Sequence, residues 1–198
     1  MSKEDEQVLV VKREDLFPKG SWHGINPDES DRVVLLASTK GEFQKRSKVE
    51  KEPLVKQIIP YIVFRYQDKY LLMQRLENHT EQRLASLYSY GIGGHLREED
   101  LEKGEGILDW AKREFSEEVD YGGNLHLKVL GVLNDDSNSV GQVHLGIVII
   151  AEGDSTQIKV KDEHKSGKLV SLSEALEHYD QMENWSQIVF KYLEKLDQ

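Results

Sequence analysis

The chain has 198 residues, 38% of them apolar and 31% charged, which suits one or two soluble globular domains and excludes wholesale disorder. It holds no cysteine, so disulfide frameworks, thiol nucleophiles, cysteine-ligated zinc and iron–sulfur clusters are ruled out. A formal net charge of −10 argues against general binding to nucleic acid or to an anionic membrane. The apolar run from Leu145 to Ala151 is far shorter than the roughly 20 residues that span a bilayer. With a polar, acidic N-terminus that carries no secretory signal, a cytoplasmic protein is expected.

In chain order, Val8 to Val11 is a short apolar run of strand type, and residues 17–31 carry the Gly, Pro, Asn and Asp of irregular structure. Val33 to Ala37 reads as a second buried strand. A polar, lysine-rich stretch follows, and its change of composition places a boundary near residue 56. Ile58 to Tyr66 and Tyr70 to Gln74 flank the turn residues 67–69 and predict a hairpin. Residues 78–89 read as a loop or short helix, and Gly91, Gly93 and Gly94 mark exposed or tightly turned backbone. Gly106 to Val119 reads as a helix. Leu125 to Leu133 and Val143 to Ala151 are predicted strands joined by a dense turn signal. Ser173 is the expected N-cap of a helix over 174–179. Glu183 to Leu196 closes the chain as an amphipathic helix with Trp185, Ile188, Val189, Tyr192 and Leu196 on its apolar side. Hairpins with helices between them predict a mixed sheet covered by helices.

Charge is unevenly placed. Arg97 to Asp120 holds ten acids against four bases, whereas Lys40 to Lys56 holds six bases against three acids. On the helix over 105–119, Leu108, Ala111, Phe115 and Val119 share a stripe roughly 80° wide, the expected core face. Glu114, Glu117 and Glu118 fall together on an adjoining side, with neighbouring Cβ atoms about 5–6 Å apart. Arg113 can pair with Glu117 one turn on, but one arginine does not offset three acids. Clustered carboxylate oxygens suit Mg²⁺ or Mn²⁺.

At these residues the sequence resembles the Nudix hydrolase superfamily. Arg113-Glu114-Phe115-Ser116-Glu117-Glu118 fits the Arg-Glu-apolar-x-Glu-Glu core of the Nudix box. Glu105 lies eight residues before Arg113, as that pattern requires, and Gly93-Gly94-His95 is similar to its Gly-Gly-x start. Leu87 to Tyr90 and Tyr70 to Arg75 also look like the run and the hairpin strand that precede the box. Two departures stand out: ten residues separate Gly94 from Glu105 where the box has five, and Asp120 stands where a glycine is expected.

The resemblance implies a Nudix-type α/β/α sandwich with a mixed sheet over residues 57–198, and composition sets residues 1–56 apart as a small N-terminal β extension. It implies a metal-dependent pyrophosphohydrolase that cleaves a phosphoanhydride bond in a nucleoside diphosphate linked to another moiety. Its cations, Mg²⁺ or Mn²⁺, are expected on Glu114, Glu117 and Glu118, with Gly94 as a backbone ligand. Glu117, Glu118, Arg113 and Glu105 form the expected catalytic set, with Arg113 and Glu105 holding the glutamates in place. Arg75, Arg83, Tyr90 and His95 are candidates for substrate contact, and Glu163 for the general base. The rival reading is a non-catalytic Nudix-fold domain that binds nucleotide or regulates. A nucleotide-type small molecule is the expected partner, with neither nucleic acid nor membrane, and a homodimer is left open. The basic segment suggests a lid in which Lys45, Arg46 or Lys48 meets substrate phosphate, against the blander expectation of a packing extension.

Overall fold

The computed structural model describes residues 3–76, 86–103, 106–161 and 164–197. The elements begin with β1 (Gln7–Lys12), α1 (Arg13–Leu16), β2 (Gly24–Asn26), α2 (Ser30–Lys40), β3 (Glu42–Lys45) and α3 (Arg46–Val49). The hairpin β4 (Val55–Tyr66) and β5 (Lys69–Arg75) follows, then β6 (Tyr88–Ser89), β7 (Gly91–Gly93) and α4 (Ile107–Glu118). After these come β8 (Val119–Tyr121), β9 (Leu125–Asn134), β10 (His144–Gly153), β11 (Ile158–Val160) and β12 (His164–Val170). The chain ends with α5 (Leu172–Leu176) and α6 (Asn184–Leu196). Among the described residues no helix is long and apolar enough to cross a membrane.

The residues divide into two compact units: 1–61, 93–112 and 129–149 in one, and 62–92, 113–128 and 150–198 in the other. Position 56, the boundary expected from composition, falls just inside β4.

In the first unit β1 pairs antiparallel with β3, from Gln7↔Lys45 to Val10↔Glu42, and with the start of β4, from Val10↔Gln57 to Lys12↔Val55. Val8, Val10, Val49 and Val55 form a buried cluster beneath that junction. The N-terminal segment therefore docks on the sheet. Val33 to Ala37, expected as a strand, lies inside α2. The run is apolar enough for a buried strand, but Val33 and Ala37 are the buried pair while Leu35 is 61% exposed, a helical spacing of four. Asn26, whose side chain accepts from the Asp28 amide, and Pro27 start a 3₁₀ turn that leads into α2. Lys56 is fully buried and donates to Asn134 Oδ1 (2.8 Å), Asp136 Oδ1 (2.7 Å) and the carbonyls of Gly141 (2.6 Å) and His144 (3.2 Å). Arg13 pairs with the same Asp136, and Trp22 Nε1 donates to Val132 O at 3.2 Å. Burial pushes the Asp136 carboxyl up, but bonds from Arg13, Lys56 and Asn134 outweigh it and hold it well below the usual range. Burial lowers the Lys56 ammonium, and Asp136 offsets part of that. The extra residues before the box helix form a 3₁₀ turn, Glu98–Lys103. Buried Asp100 caps it by accepting from Arg97 N at 3.0 Å, and Trp110 Nε1 donates to Asp100 O at 3.1 Å.

In the second unit β5 lies between β12 and the end of β4, β6 pairs with β5, and β8 and β11 form a separate antiparallel ribbon. Arg65 and Tyr70 are directly opposed and so share a face, which turns Phe64 to the other. Phe64 stacks on Phe115 of α4 at 5.9 Å, whereas Tyr70 meets Tyr90 edge-on and Tyr90 stacks on Phe190 of α6 at 6.2 Å. The two helices thus cover opposite faces, the helix–sheet–helix layering expected. Gly153 is needed there, since a Cβ would come within 2.5 Å of Tyr121 Oη and 2.6 Å of the Phe64 ring.

Three sequence expectations change here. Strands β11 and β12 went unread, because β12 (HKSGKLV) is polar along most of its length and its ladder to β5 holds it extended. Ser171, not Ser173, caps α5: Ser171 N donates to Glu174 Oε2 at 2.8 Å and Ser171 Oγ accepts from Glu174 N, a reciprocal capping box. On α6 the buried side is Ser186, Val189, Phe190 and Leu193, with Leu196 55% exposed. Ser186 enters the core because its hydroxyl accepts from Tyr90 N at 2.9 Å, which the hydrophobic pattern could not register.

Candidate active site

The second half of α4 carries the acids. Leu108 is only half-buried, and Ala111, Phe115 and Val119 are buried as expected. That orientation leaves Glu117 52% exposed at its side chain, with Glu114 at 16% and Glu118 at 11%. Arg113 bridges two of them, with Nη1 donating to Glu117 Oε1 at 2.8 Å and Nη2 3.2 Å from Glu114 Oε2. It holds carboxylates that would otherwise repel. Glu118 Oε2 faces His164 Nε2 of β12 at 3.8 Å, and the Lys161 amide donates to the Glu118 carbonyl at 2.8 Å. Lys161 also donates from Nζ to the Ser116 carbonyl at 2.6 Å, which ties Lys161 to the end of α4. Three oxygen donors against one guanidinium fit a hard divalent cation such as Mg²⁺ or Mn²⁺. A cleft of about 720 Å³ adjoins this helix end but is lined by Ser116, Asp120, Tyr121 and Lys161, not by the acids.

The other sequence candidates are dispersed. Arg75 donates from Nε to Glu183 at the start of α6, and both side chains are largely buried. Tyr90 is fully buried against Phe190, with burial holding its phenol well above the usual value, so it belongs to the core and no substrate reaches it without repacking. Gly94 follows β7 directly and is half-buried. His95 places Nε2 2.9 Å from Gln57 Oε1 and 3.3 Å from His144 Nε2. Lys45 and Arg46 pair with Asp5 (2.7 Å) and Glu6 (3.1 Å) of their own unit, and Arg46 also with Glu50 (3.2 Å). These contacts give the basic segment a packing role. Glu105, Arg83 and Glu163 lie outside the described residues.

Sequence reasoning missed His164, which the β12 ladder holds beside Glu118, Lys161, which bonds to the Glu118 and Ser116 carbonyls, and Glu50 and His144, which join His95. Among the described residues, the group of three metal-type donors whose ligand atoms all lie within 4.8 Å of one another is Glu50, His95 and His144.

No protein-family model matches the chain. Protein YmaB of Bacillus subtilis is 33% identical over 208 aligned positions, covering 98% of this chain and all of YmaB. The crystal structure of Tm1382, assigned to the Nudix hydrolases, is 32% identical over 96% of this chain and all of Tm1382, with a TM-score of 0.80. The chain belongs to the Nudix hydrolase superfamily. The Nudix domain of Shewanella oneidensis NrtR, solved with ADP ribose, superposes on 72% of this chain and 89% of its own at 15% identity, with a TM-score of 0.56. The MutT protein of Methanosarcina mazei covers 71% of this chain and 94% of its own at 20% identity and 0.51. At these identities the likeness is one of Nudix fold.

Proposed function

We propose that this Nudix protein is a metal-dependent hydrolase acting on a phosphoanhydride bond in a nucleoside diphosphate linked to another moiety. Residues 57–198 form the hydrolase domain in this reading. The observation that carries it is the Arg113–Glu114–Glu117 bridge with Glu118 alongside, on one side of α4. Glu114, Glu117 and Glu118 hold Mg²⁺ or Mn²⁺. When bound, the cation polarises phosphoryl oxygens and acidifies a bound water. Arg113 sets the spacing of Glu114 and Glu117. The packing of Glu118 against His164 lowers local water access, which strengthens charge interactions at that end of the helix. Glu163 is the proposed general base.

The test is a panel of nucleoside diphosphate compounds with Mg²⁺ or Mn²⁺, including ADP-ribose because NrtR's Nudix domain takes it. Wild type is compared with the Glu117→Gln, Glu118→Gln double variant. Phosphorylated products released by wild type alone support the reading. Saturable binding of a panel member in calorimetry, with no turnover, replaces hydrolysis by a sensor function. Neither binding nor turnover above the double variant removes the reading for that panel.

A further inference from the structure

Three residues from remote parts of the first unit converge. Glu50 follows α3, His95 follows β7, and His144 opens β10. Their ligand atoms all lie within 4.8 Å of one another, and the two histidine Nε2 atoms are 3.3 Å apart. Two nitrogens on one tetrahedral Zn²⁺, each at about 2.0–2.1 Å, stand roughly 3.3 Å from each other. The spacing is therefore that of a shared ion.

The hydrogen bond made by His144 agrees with this. His144 Nδ1 lies 2.8 Å from Val140 O, and a carbonyl only accepts, so Nδ1 carries the proton. In the neutral ring Nε2 then carries the lone pair, aimed at His95, and a carbonyl on the far ring nitrogen is how proteins orient metal-binding histidines. Gln57 is fully buried, and its Oε1 accepts from His95 Nε2 at 2.9 Å, a proton the ion would displace, while its own Nε2 has no hydrogen-bond partner. A buried amide donor without an acceptor marks a polar pocket built to receive one more oxygen, such as a metal-bound water. Arg46 stands beside Glu50 but divides its charge with Glu6, and Lys56 is matched by Asp136.

We propose that Glu50, His95 and His144 bind one Zn²⁺-type divalent cation of their own, which fastens the N-terminal segment to β10. Two imidazoles with one carboxylate select Zn²⁺ over Mg²⁺, which prefers oxygen alone. Three chain-remote segments meet at this ion, so its occupancy stabilises the first unit by binding only the folded form.

The full chain, stripped with chelator, is titrated with Zn²⁺ or Mg²⁺ by calorimetry and with Co²⁺ by visible absorption. Wild type is expected to take one more equivalent of Zn²⁺ than Glu50→Gln or His95→Asn chains, or to bind it about tenfold or more tightly. Zn²⁺ is expected to raise the unfolding temperature of wild type and not of Glu50→Gln, and Mg²⁺ not to displace it. Glu50 is exposed, so its variant reports on the site without disturbing the core. The Glu117→Gln, Glu118→Gln chain is expected to keep this equivalent. Equal Zn²⁺ stoichiometry and affinity in wild type and both Glu50 and His95 variants overturns the proposal, as does loss of the equivalent from the box variant alone.

Discussion

The box acids and the histidine cluster gather metal-type donors by opposite routes. Glu114, Glu117 and Glu118 come from little more than one turn of a single helix, so their meeting follows from α-helical geometry alone. Glu50, His95 and His144 come from three segments, which the pairing of β1, β7 and β10 with β4 and the bonds around Lys56 bring together. One set is oxygen-only and partly exposed, held by Arg113. The other is nitrogen-rich, with His144 buried. A local constellation survives damage to distant packing, whereas an assembled one fails with its frame.

The largest expected effect strikes the local set. The Glu117→Gln, Glu118→Gln variant is predicted to lower kcat by about 1,000-fold, measured as product release, with little change in far-ultraviolet circular dichroism. A loss below about tenfold would separate the acids from the chemistry. Next comes the frame of the assembled set. Lys56→Met leaves the carbonyls of Gly141 and His144 without their buried donor and is predicted to cost about 3 kcal/mol in urea unfolding, together with weaker Zn²⁺ binding. Normal Zn²⁺ affinity in that variant would break the proposed dependence on the frame.

Acid tests the same frame more gently. Asp136 has a folded pKa below its unfolded one, so its contribution is fully present above about pH 4 and is lost as pH falls through the folded value. Wild type is expected to unfold at higher temperature than Asp136→Asn at pH 7, and the two curves to converge on acidification. Arg113→Lys should lower kcat about tenfold, because an ammonium cannot reach Glu114 and Glu117 together as the guanidinium fork does. Lys45→Ala should alter neither the Michaelis constant nor the unfolding midpoint, since its partner Asp5 belongs to its own segment. A raised Michaelis constant there would restore the lid.

What could be read from sequence follows the same division. The box helix, the β4–β5 hairpin and the closing helix declared themselves through periodicity and turn chemistry within one window. The acids were legible for that reason, and Arg113 with them. Val33 to Ala37 was misread because five apolar residues fit a strand or a helix equally, and the deciding fact, exposure of Leu35, is tertiary. β12 was missed because its partner strand, not its composition, extends it. His164 beside Glu118 and the pairing of His95 with His144 depend on strand register, which no local pattern encodes. Tyr90 and Arg75 were placed by analogy with a binding surface, but the packing of α6 claims both.

β12 stands at one end of the strand order, where open backbone groups could recruit another chain. Lys165, Ser166 and Lys168 are exposed along it, and the register breaks between His164 and Ser166. Desolvating two ammonium groups against an incoming strand is unfavourable, and the bulge denies that strand a continuous ladder. The polarity that hid this strand from sequence reading therefore also guards the protein against edge-to-edge aggregation.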